Sequence, residues 1–327
     1  MKIVVMHSAD ALEPPVDPVL AQLREAIVGC GHVVQLLPVA NAVAPLVSTL
    51  SAAPPDLVFN LAESFGGKSA LESNVAALLN LLGLRYTGSS PAGLLLAGDK
   101  SLSKQVLSFH GIRTPESATV FRGAVDWADN IAFPVIVKPP QEDASLGISA
   151  SSVVHDLRDL FTRIDELQEE FQQPVLVEQF VEGREFYVGV LGNVRAKGLP
   201  IIECDFSGLP ADVPRIASWA AKWGDDGAGG GIEYAGTRSV FPNDVGPELV
   251  EQMQKVAVDA FHALRLRDYA RIDLRVTEHG EIFVIEVNPN CYLERESEFA
   301  RAAAADGLTY DALIARILEL ASARYAR

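Results

Sequence analysis

Two stretches near the C-terminal end bring together residues that could do chemistry. They are Tyr-Ala-Arg-Ile-Asp-Leu-Arg at 269–275 and Glu-Ile-Phe-Val-Ile-Glu-Val-Asn-Pro-Asn at 281–290. Each alternates polar and apolar residues, as a half-buried strand does, and Glu278-His279-Gly280 between them are turn formers. The expectation is a hairpin. Side chains two apart share a face of a strand, so Arg271 and Asp273 point one way, as do Glu286 and Asn288. Pairing then gathers three oxygen donors (Asp273, Glu286, Asn288) and one guanidinium on one surface. An oxygen-only set suits Mg²⁺, which is usually held by a few carboxylates together with substrate phosphates. A lone Asp-x-Glu pair would read as a solvated strand face. Here the charges sit inside strongly apolar strands ending in Asn-Pro-Asn, which favours the metal.

A second group lies mid-chain. Phe133 through Lys138 reads as a buried strand ending in lysine, followed by the small polar loop Gln141 through Gly147, after which Ile148 opens another strand. A strand-end ammonium beside a Ser/Gly loop containing Ser145 is one way to hold phosphates, although the spacing is not that of a P-loop. The strand Val175 through Val181 carries Glu178, and Glu185 follows Gly183-Arg184. Two such acids could meet an adenine amino group and then a ribose. Lys222-Trp223 precedes a glycine-dense run at 224–231, which reads either as a connector or as a lid whose lysine closes over phosphate. Asp99-Lys100, taken alone, reads as a surface pair.

The elements that must position these groups follow from periodicity. Ile3–Met6, Val33–Leu37 and Asp56–Asn60 read as strands, and 17–29 and 70–83 as helices, an alternation that implies a mostly parallel sheet covered on both faces. Ligands of such sheets bind beyond the carboxyl ends of the strands, next to the loop Asn60–Lys68. Glu63 in that loop reads equally as a solvated charge and as a site residue. Tyr86 through Pro91 marks the exit from this unit. A helix with Asp99-Lys100 in its first turn and Lys104 one turn on ends at Gly111. Further helices are expected at 156–171, 246–265, 297–305 and 309–323, with strands at 185–191 and 199–206.

Composition limits the alternatives. The 327 residues are enough for two or three cores, and 49% hydrophobic with 21% charged residues excludes wholesale disorder. A formal net charge of −16 argues against a nucleic-acid partner, which needs a basic face. The three cysteines (Cys30, Cys204, Cys291) and six histidines are scattered, suggesting neither a disulfide framework nor zinc. No segment approaches the apolar length of a membrane span, and the first residues are too short a run for a signal peptide. A cytoplasmic protein is expected.

The ordered set Asp99-Lys100, Val-Ile-Val-Lys138-Pro, Ser145-Leu-Gly147, Val-Leu-Val-Glu178-Gln-Phe-Val, Glu185, Ala-Lys222-Trp, Arg271-Ile-Asp273 and Glu286-Val-Asn288 resembles the ATP-grasp superfamily, and within it the D-alanine–D-alanine ligase branch. The likeness runs over nearly the whole chain. It implies an α/β and α+β multidomain fold: a Rossmann-like preATP-grasp domain at 1–97, a central ATP-grasp subdomain at 98–181, and a C-terminal subdomain at 182–327.

By the same resemblance, Lys100 and Lys138 would contact ATP phosphates under the Ser145 loop. Glu178 would accept from the adenine amino group, Gln179, Phe180 and Val181 would offer backbone contacts, and Glu185 would bind the ribose. Ile136, Ile148 and Ile285 would wall the adenine. Lys222 would reach the γ-phosphate, and Arg271 would stabilise the transferred phosphate and the tetrahedral intermediate. Asp273, Glu286 and Asn288 would bind two Mg²⁺ ions. The implied reaction activates a small-molecule carboxylate as an acylphosphate that an amine attacks, with Glu63, Arg271, Tyr292 and Ser297 near the substrates. A homodimer through the first domain is also implied. Phosphotransfer or cyclisation on the same grasp, or nucleotide binding without catalysis, are the alternatives. The complete set of Lys100, Lys138, Arg271, Asp273, Glu286 and Asn288 weighs against the last.

Departures from the branch concern substrate. The Gly-Gly-x-Ser-x-Glu element at the start is Met6-His7-Ser8-Ala9-Asp10 here, with Glu13 a candidate stand-in. A His-Gly pair after the third strand is Glu63-Ser64, one of two paired serines is Ala144, and the lid tyrosine is Trp223. In the acceptor loop, Pro-Gly and Ser-Leu are replaced by Cys291 through Glu298, keeping only Ser297. Three glutamates there would repel a carboxylate and welcome an amine or cation, with Arg295 the one counterweight. The expectation is a carboxylate–amine ligase whose substrates are not two D-alanines.

Overall fold

The computed structural model describes residues 1–9, 17–121, 132–224 and 230–326, and the backbone of 124–125. Candidate stand-in Glu13 and most of the glycine-dense run, 225–229, lie outside the described residues.

The first sheet forms because Ile3, Val4, Val5 and Met6 are all buried, as a central parallel strand requires. Strand β1 (Lys2–Ser8) lies between β2 (Val33–Val39) and β3 (Leu57–Leu61), both parallel to it. Helix α1 (Pro18–Gly29) is started by Asp17, which accepts the Val19 N–H at 2.9 Å, with Pro18 in the first turn. Helix α2 (Val43–Ala52) was not expected from the sequence. Its N-cap, Ala42, offers no side-chain acceptor and no acid sits in its first turn, so the usual start signals are missing. Helix α3 (Glu72–Leu81) follows a short 3-10 turn at Ser69–Leu71.

The exit segment runs directly into α4 (Pro91–Gly98), capped by Ser90, and the chain then breaks at Asp99 to start α5 (Lys100–Phe109). A five-stranded antiparallel sheet comes next, built from β4 (Ser117–Phe121), β5 (Ala124–Val125), β6 (Val135–Lys138), β7 (Val153–Val154) and β8 (Val175–Gln179). Its order is β5-β4-β8-β6-β7. Helix α6 (Leu157–Phe171) covers one face through Leu160, Ile164 and Leu167, the spacing of one helical stripe. Ile148 does not open a strand. The loop is still turning there, with the Ile148 N–H bonded back to Ser145 O at 3.0 Å, and pairing resumes only at Val153.

The third sheet comprises β9 (Arg184–Gly192), β10 (Lys197–Gly198), β11 (Ile202–Asp205), β12 (Arg238–Val240), β13 (Asp268–Val276) and β14 (Ile282–Asn288). The path is β12-β11-β9-β13-β14, with β10 also on β9. The strand expected at 199–206 is realised as β11 alone, and Pro200, between β10 and β11, has no N–H to give a ladder. Short helices α7 (Trp219–Trp223) and α8 (Ile232–Gly236) precede α9 (Pro247–Ala263), and α10 (Glu298–Ala305) and α11 (Tyr310–Arg324) end the fold. Helix α9 packs Met253, Ala257, Ala260 and Phe261 on Val188, Val190, Ile272 and Leu274. Ile272 and Leu274 therefore fix which face of β13 is apolar, and Arg271, Asp273 and Arg275 fall on the other.

That other face shares a core with the first sheet. Ile3, Val5, Leu23, Ile27 and Phe59 join Tyr187, Tyr269, Phe299, Ile314 and Ile317 in one apolar cluster. Among the described residues no helix is long and apolar enough to cross a membrane.

Candidate active site

The hairpin expected at 269–290 is present, and its register pairs Arg271 with Asn288 and Asp273 with Glu286. A register shift follows Asp273, where the ladder locally kinks. Arg271 grips Asp273 with both arms, Nε to Oδ1 at 2.8 Å and Nη2 to Oδ2 at 2.9 Å. Asn288 Nδ2 also donates to Asp273 Oδ2, at 3.2 Å. The Arg271 guanidinium lies 4.7 Å from the centre of the Tyr187 ring, a cation–π contact that fixes its plane.

Glu286 is met from the far side by Lys100, at 2.9 Å. Lys100 is placed there by the cap of α5, where Asp99 Oδ1 accepts the N–H groups of Ser101 and Leu102, each at 3.0 Å. Burial alone would raise Glu286, but the Lys100, Lys222 and Lys138 ammoniums overcome it and hold the carboxyl below the usual carboxylate range. Burial pushes Asp273 up to about 6, with Arg271 pulling against it and Glu286 adding to it. Two carboxylates directly opposite each other thus separate in acidity, and cation chemistry decides which is lower.

The donor set fits Mg²⁺ in kind: two carboxylates and an amide oxygen, no sulfur, no imidazole. Among the described residues no three His, Cys, Asp or Glu side chains cluster as a dedicated metal cage. Mg²⁺ differs from zinc in this respect, since it keeps waters and substrate phosphates in its shell.

Above the hairpin opens a cleft between the five- and six-stranded sheets. It brings together Ile136, Lys138, Ser145, Ile148, Glu178, Gln179, Phe180, Val181, Glu185, Lys222, Asp273, Ile285 and Glu286. Glu178 sits at its floor between two ammoniums, with Lys138 donating to Oε1 at 2.7 Å and Lys104 at 2.9 Å from Oε2. Against its burial, Lys104 and Lys138 draw Glu178 below the usual range, while burial lowers Lys104. Lys104 was legible as one turn beyond Lys100, but its partner lies 74 residues away in sequence and has no local signal.

The loop over the cleft is pinned shut. Ala144 and Ser145 both have positive φ, +53° and +63°, and Gly147 follows at +74°. A Cβ at Gly147 would fall 2.9 Å from the Phe171 ring, so only glycine fits that turn. Ser145 Oγ donates to Ala217 O at 2.6 Å, and Trp223 Nε1 donates to Ala144 O at 3.2 Å. Lys222 is thereby carried over the cleft, and its charge reaches Asp273, Glu286 and Glu298.

The remaining expected residues lie beside the cleft. Tyr292 OH donates to Asp17 at 2.8 Å, across the start of α1. Ser297 caps α10 and its hydroxyl donates to Tyr292 O at 3.0 Å, so that hydroxyl already has a partner. The Glu63 N–H donates to Ser8 Oγ at 3.3 Å, and the Glu63 charge adds to the burial that raises Glu72, Tyr269 and Cys291. Of the three acceptor-loop glutamates only Glu298 turns to Arg271, at 3.8 Å, while Glu294 accepts Gln22 Nε2 at 2.7 Å and Glu296 is exposed. Arg295 does not counterbalance Glu298. It pairs with Glu25 at 3.7 Å and stacks on Tyr310. Arg275, a further lining residue, carried no assigned role in the sequence, and Glu298 was read there only as one of three acceptor-loop glutamates.

Residues 106–319 match the family model described as D-ala D-ala ligase C-terminus. An uncharacterized protein, y4sG, of Sinorhizobium fredii is 33% identical over 94% of this chain and 88% of its own length. The D-alanine–D-alanine ligase of Syntrophotalea carbinolica is 34% identical over 79% of this chain and 77% of its own. The crystal structure of a D-alanine–D-alanine ligase from Bacillus anthracis complexed with ATP has the same fold. Its TM-score is 0.74 at 22% identity, covering 98% of this chain and 97% of that one.

Proposed function

Because the chain belongs to the D-alanine–D-alanine ligase family, we propose that its cleft binds ATP and joins a carboxylate to an amine that are not both D-alanine. It is an ATP-dependent ligase forming C–N bonds between small molecules, and it uses Mg²⁺. The finer assignments that follow are supported by the geometry above.

The observation carrying the site assignment is the facing pair Asp273 and Glu286 at the mouth of a cleft whose floor holds Lys138 and Glu178. ATP lies with its phosphates toward Lys100, Lys138 and Lys222 and its base toward Glu178, with Gln179, Phe180 and Val181 along its edge. Ile136, Ile148 and Ile285 wall the base, and Glu185 meets the ribose. Asp273, Glu286 and Asn288 hold two Mg²⁺ ions, which supply neutralisation of the charge that builds in phosphoryl transfer. Arg271 faces the transferred phosphoryl group and then the oxyanion formed when the amine attacks the acylphosphate. The pinned Ser145 loop and Trp223 keep water from that acylphosphate, whose hydrolysis would waste it. Carboxylate and ATP give acylphosphate and ADP, and the amine then displaces phosphate and loses a proton, leaving an amide.

Substrate choice is supported by the acceptor loop. Where a carboxylate-binding pair would stand, Ser297 has its hydroxyl committed and Glu298 presents an anion to Arg271. An acceptor bearing a cation, or lacking a carboxylate, suits that surface. Glu63 and Tyr292 border the same end. The three domains at 1–97, 98–181 and 182–327, a homodimer through the first of them and a cytoplasmic location belong to the same proposal.

Phosphate release from Mg·ATP, measured against single amino acids, amines and pairs of them, tests the reading. Turnover requiring a particular pair and lost in Asp273→Asn supports it. Full activity with D-alanine alone sinks the substrate claim.

A further inference from the structure

Arg275 stands one alternation beyond Asp273 on the same face of β13, buried against the cleft with 4% exposure. The register sets it directly opposite Glu185, and Nη2 lies 2.9 Å from Glu185 Oε2. Nη1 donates to Gly183 O at 3.1 Å, and Nη2 donates to Arg215 O. The guanidinium also lies 5.6 Å from the Phe180 ring centre and 5.7 Å from that of Phe206. One side chain therefore joins the crossing segment 180–184, the segment 206–218 that leads into α7, and the carboxylate of Glu185.

The crossing segment can reach Arg275 because residue 183 has no side chain. Gly183 has φ +150°, and a Cβ there would sit 2.2 Å from Val276 O. The effect on Glu185 follows from its acceptor sites. Oε1 accepts from Tyr187 OH at 3.0 Å, and Oε2 faces Arg275. A carboxylate offers about four lone-pair sites. Each oxygen uses one on the protein and keeps another for a ligand, an arrangement that suits two neighbouring hydroxyls donating together. A lysine could not reproduce this, because a point charge lacks the planar fork that spans a carboxylate and two carbonyls.

We propose that Arg275 is a positioning residue for nucleotide recognition: it fixes Glu185 to read the ribose diol and couples that reading to the 206–218 segment behind Lys222. The inference rests on the cleft being the ATP site and on Glu185 meeting the ribose.

Calorimetric binding of ATP and 2′-deoxy-ATP to the full chain in Mg²⁺ tests it without knowledge of the acceptor. Losing a hydrogen bond to a charged group weakens binding by about tenfold or more, so the native protein should favour ATP by at least that ratio. Arg275→Met should bring the ratio within about threefold, and Arg275→Lys should fall between. Arg275→Met with the native ratio overturns the proposal. Should that variant not fold, Arg275→Lys with the native ratio overturns it equally. Glu185→Gln separates the two possible failures. If it keeps the ratio, or if the native protein shows none, the assignment of Glu185 is wrong. If it loses the ratio while Arg275→Met keeps it, only the role of Arg275 is wrong.

Discussion

Lys100 Nζ and Glu286 Oε1 meet at 2.9 Å, joining the start of α5 to the last strand of the six-stranded sheet. In the proposed site both belong to the phosphate end of the cleft, and there this pair would set how much positive charge remains for ATP and how much negative charge for Mg²⁺. Burial works against the ammonium, yet Glu286 and Asp143 hold Lys100 above its ordinary value, charged at any working pH.

Lys100→Met should therefore weaken Mg·ATP binding by roughly 10- to 100-fold. Lys255→Met is the contrast. Its partner Asp259 is one turn along the same exposed helix face, a pair worth about 0.5 kcal/mol or less. Calorimetry on both variants checks the difference, and equal losses would remove Lys100 from the site.

Asp99→Ala should cost about 1–2 kcal/mol through the lost cap of α5. It should also raise the ATP dissociation constant, because the first residue of that helix is Lys100. Asp99→Asn keeps an acceptor for the Ser101 and Leu102 N–H groups and should restore most of both. Thermal melts and nucleotide titration read the two effects separately.

Glu298→Leu should shift acceptor preference toward amines that carry a carboxylate, D-alanine included, by about tenfold in kcat/KM. It removes the anion 3.8 Å from Arg271 Nη1, the arm not used on Asp273, and opens that arm to a substrate carboxylate. Competition between a carboxylate-bearing amine and its decarboxylated analogue measures the shift. An unchanged preference would show that Glu298 does not face the acceptor.

Glu72 sets a pH dependence of stability. Burial raises its pKa well above the ordinary value, Asp143 and Glu63 add to this, and the hydrogen bond from Asn290 opposes it. A carboxyl with a raised folded pKa gives greatest stability below its unfolded pKa of about 4.3, and stability declines as pH rises from there through the folded value. Glu72→Gln keeps an acceptor for Asn290 and removes that decline. Its Tm should match the parent near pH 4.5 and exceed it by a few degrees near pH 8. A gap that does not widen with pH would refute the account.

How much of this was legible varied with the range of the interaction. The hairpin at 269–290 and the strand ending in Lys138 showed in the sequence because alternation and turn residues are local. The first sheet showed for the same reason. Helix α2 carried no cap, and β11 begins only at Ile202 because Pro200 cannot join a ladder that apolar content alone extended back to residue 199. Pairings were the main gap. Glu178 finds Lys104 across the cleft, Arg295 turns to Glu25, and Glu294 is taken up by Gln22. None of these could be read from spacing. Arg275 could have been, since Arg271-x-Asp273-x-Arg275 keeps one face of one strand throughout.

The cluster that joins α11 to the first sheet bears on how the chain is made. Ile314 and Ile317 share a core with Ile3, Val5 and Ile27, and Arg324 reaches the Tyr86 and Gly88 carbonyls and pairs with Asp268. Helix α1, the next element after β1, covers part of that face early, but the cover is completed only once α11 has been made. Until then the remaining apolar surface of the first sheet stays open on the nascent chain, a surface through which such chains aggregate.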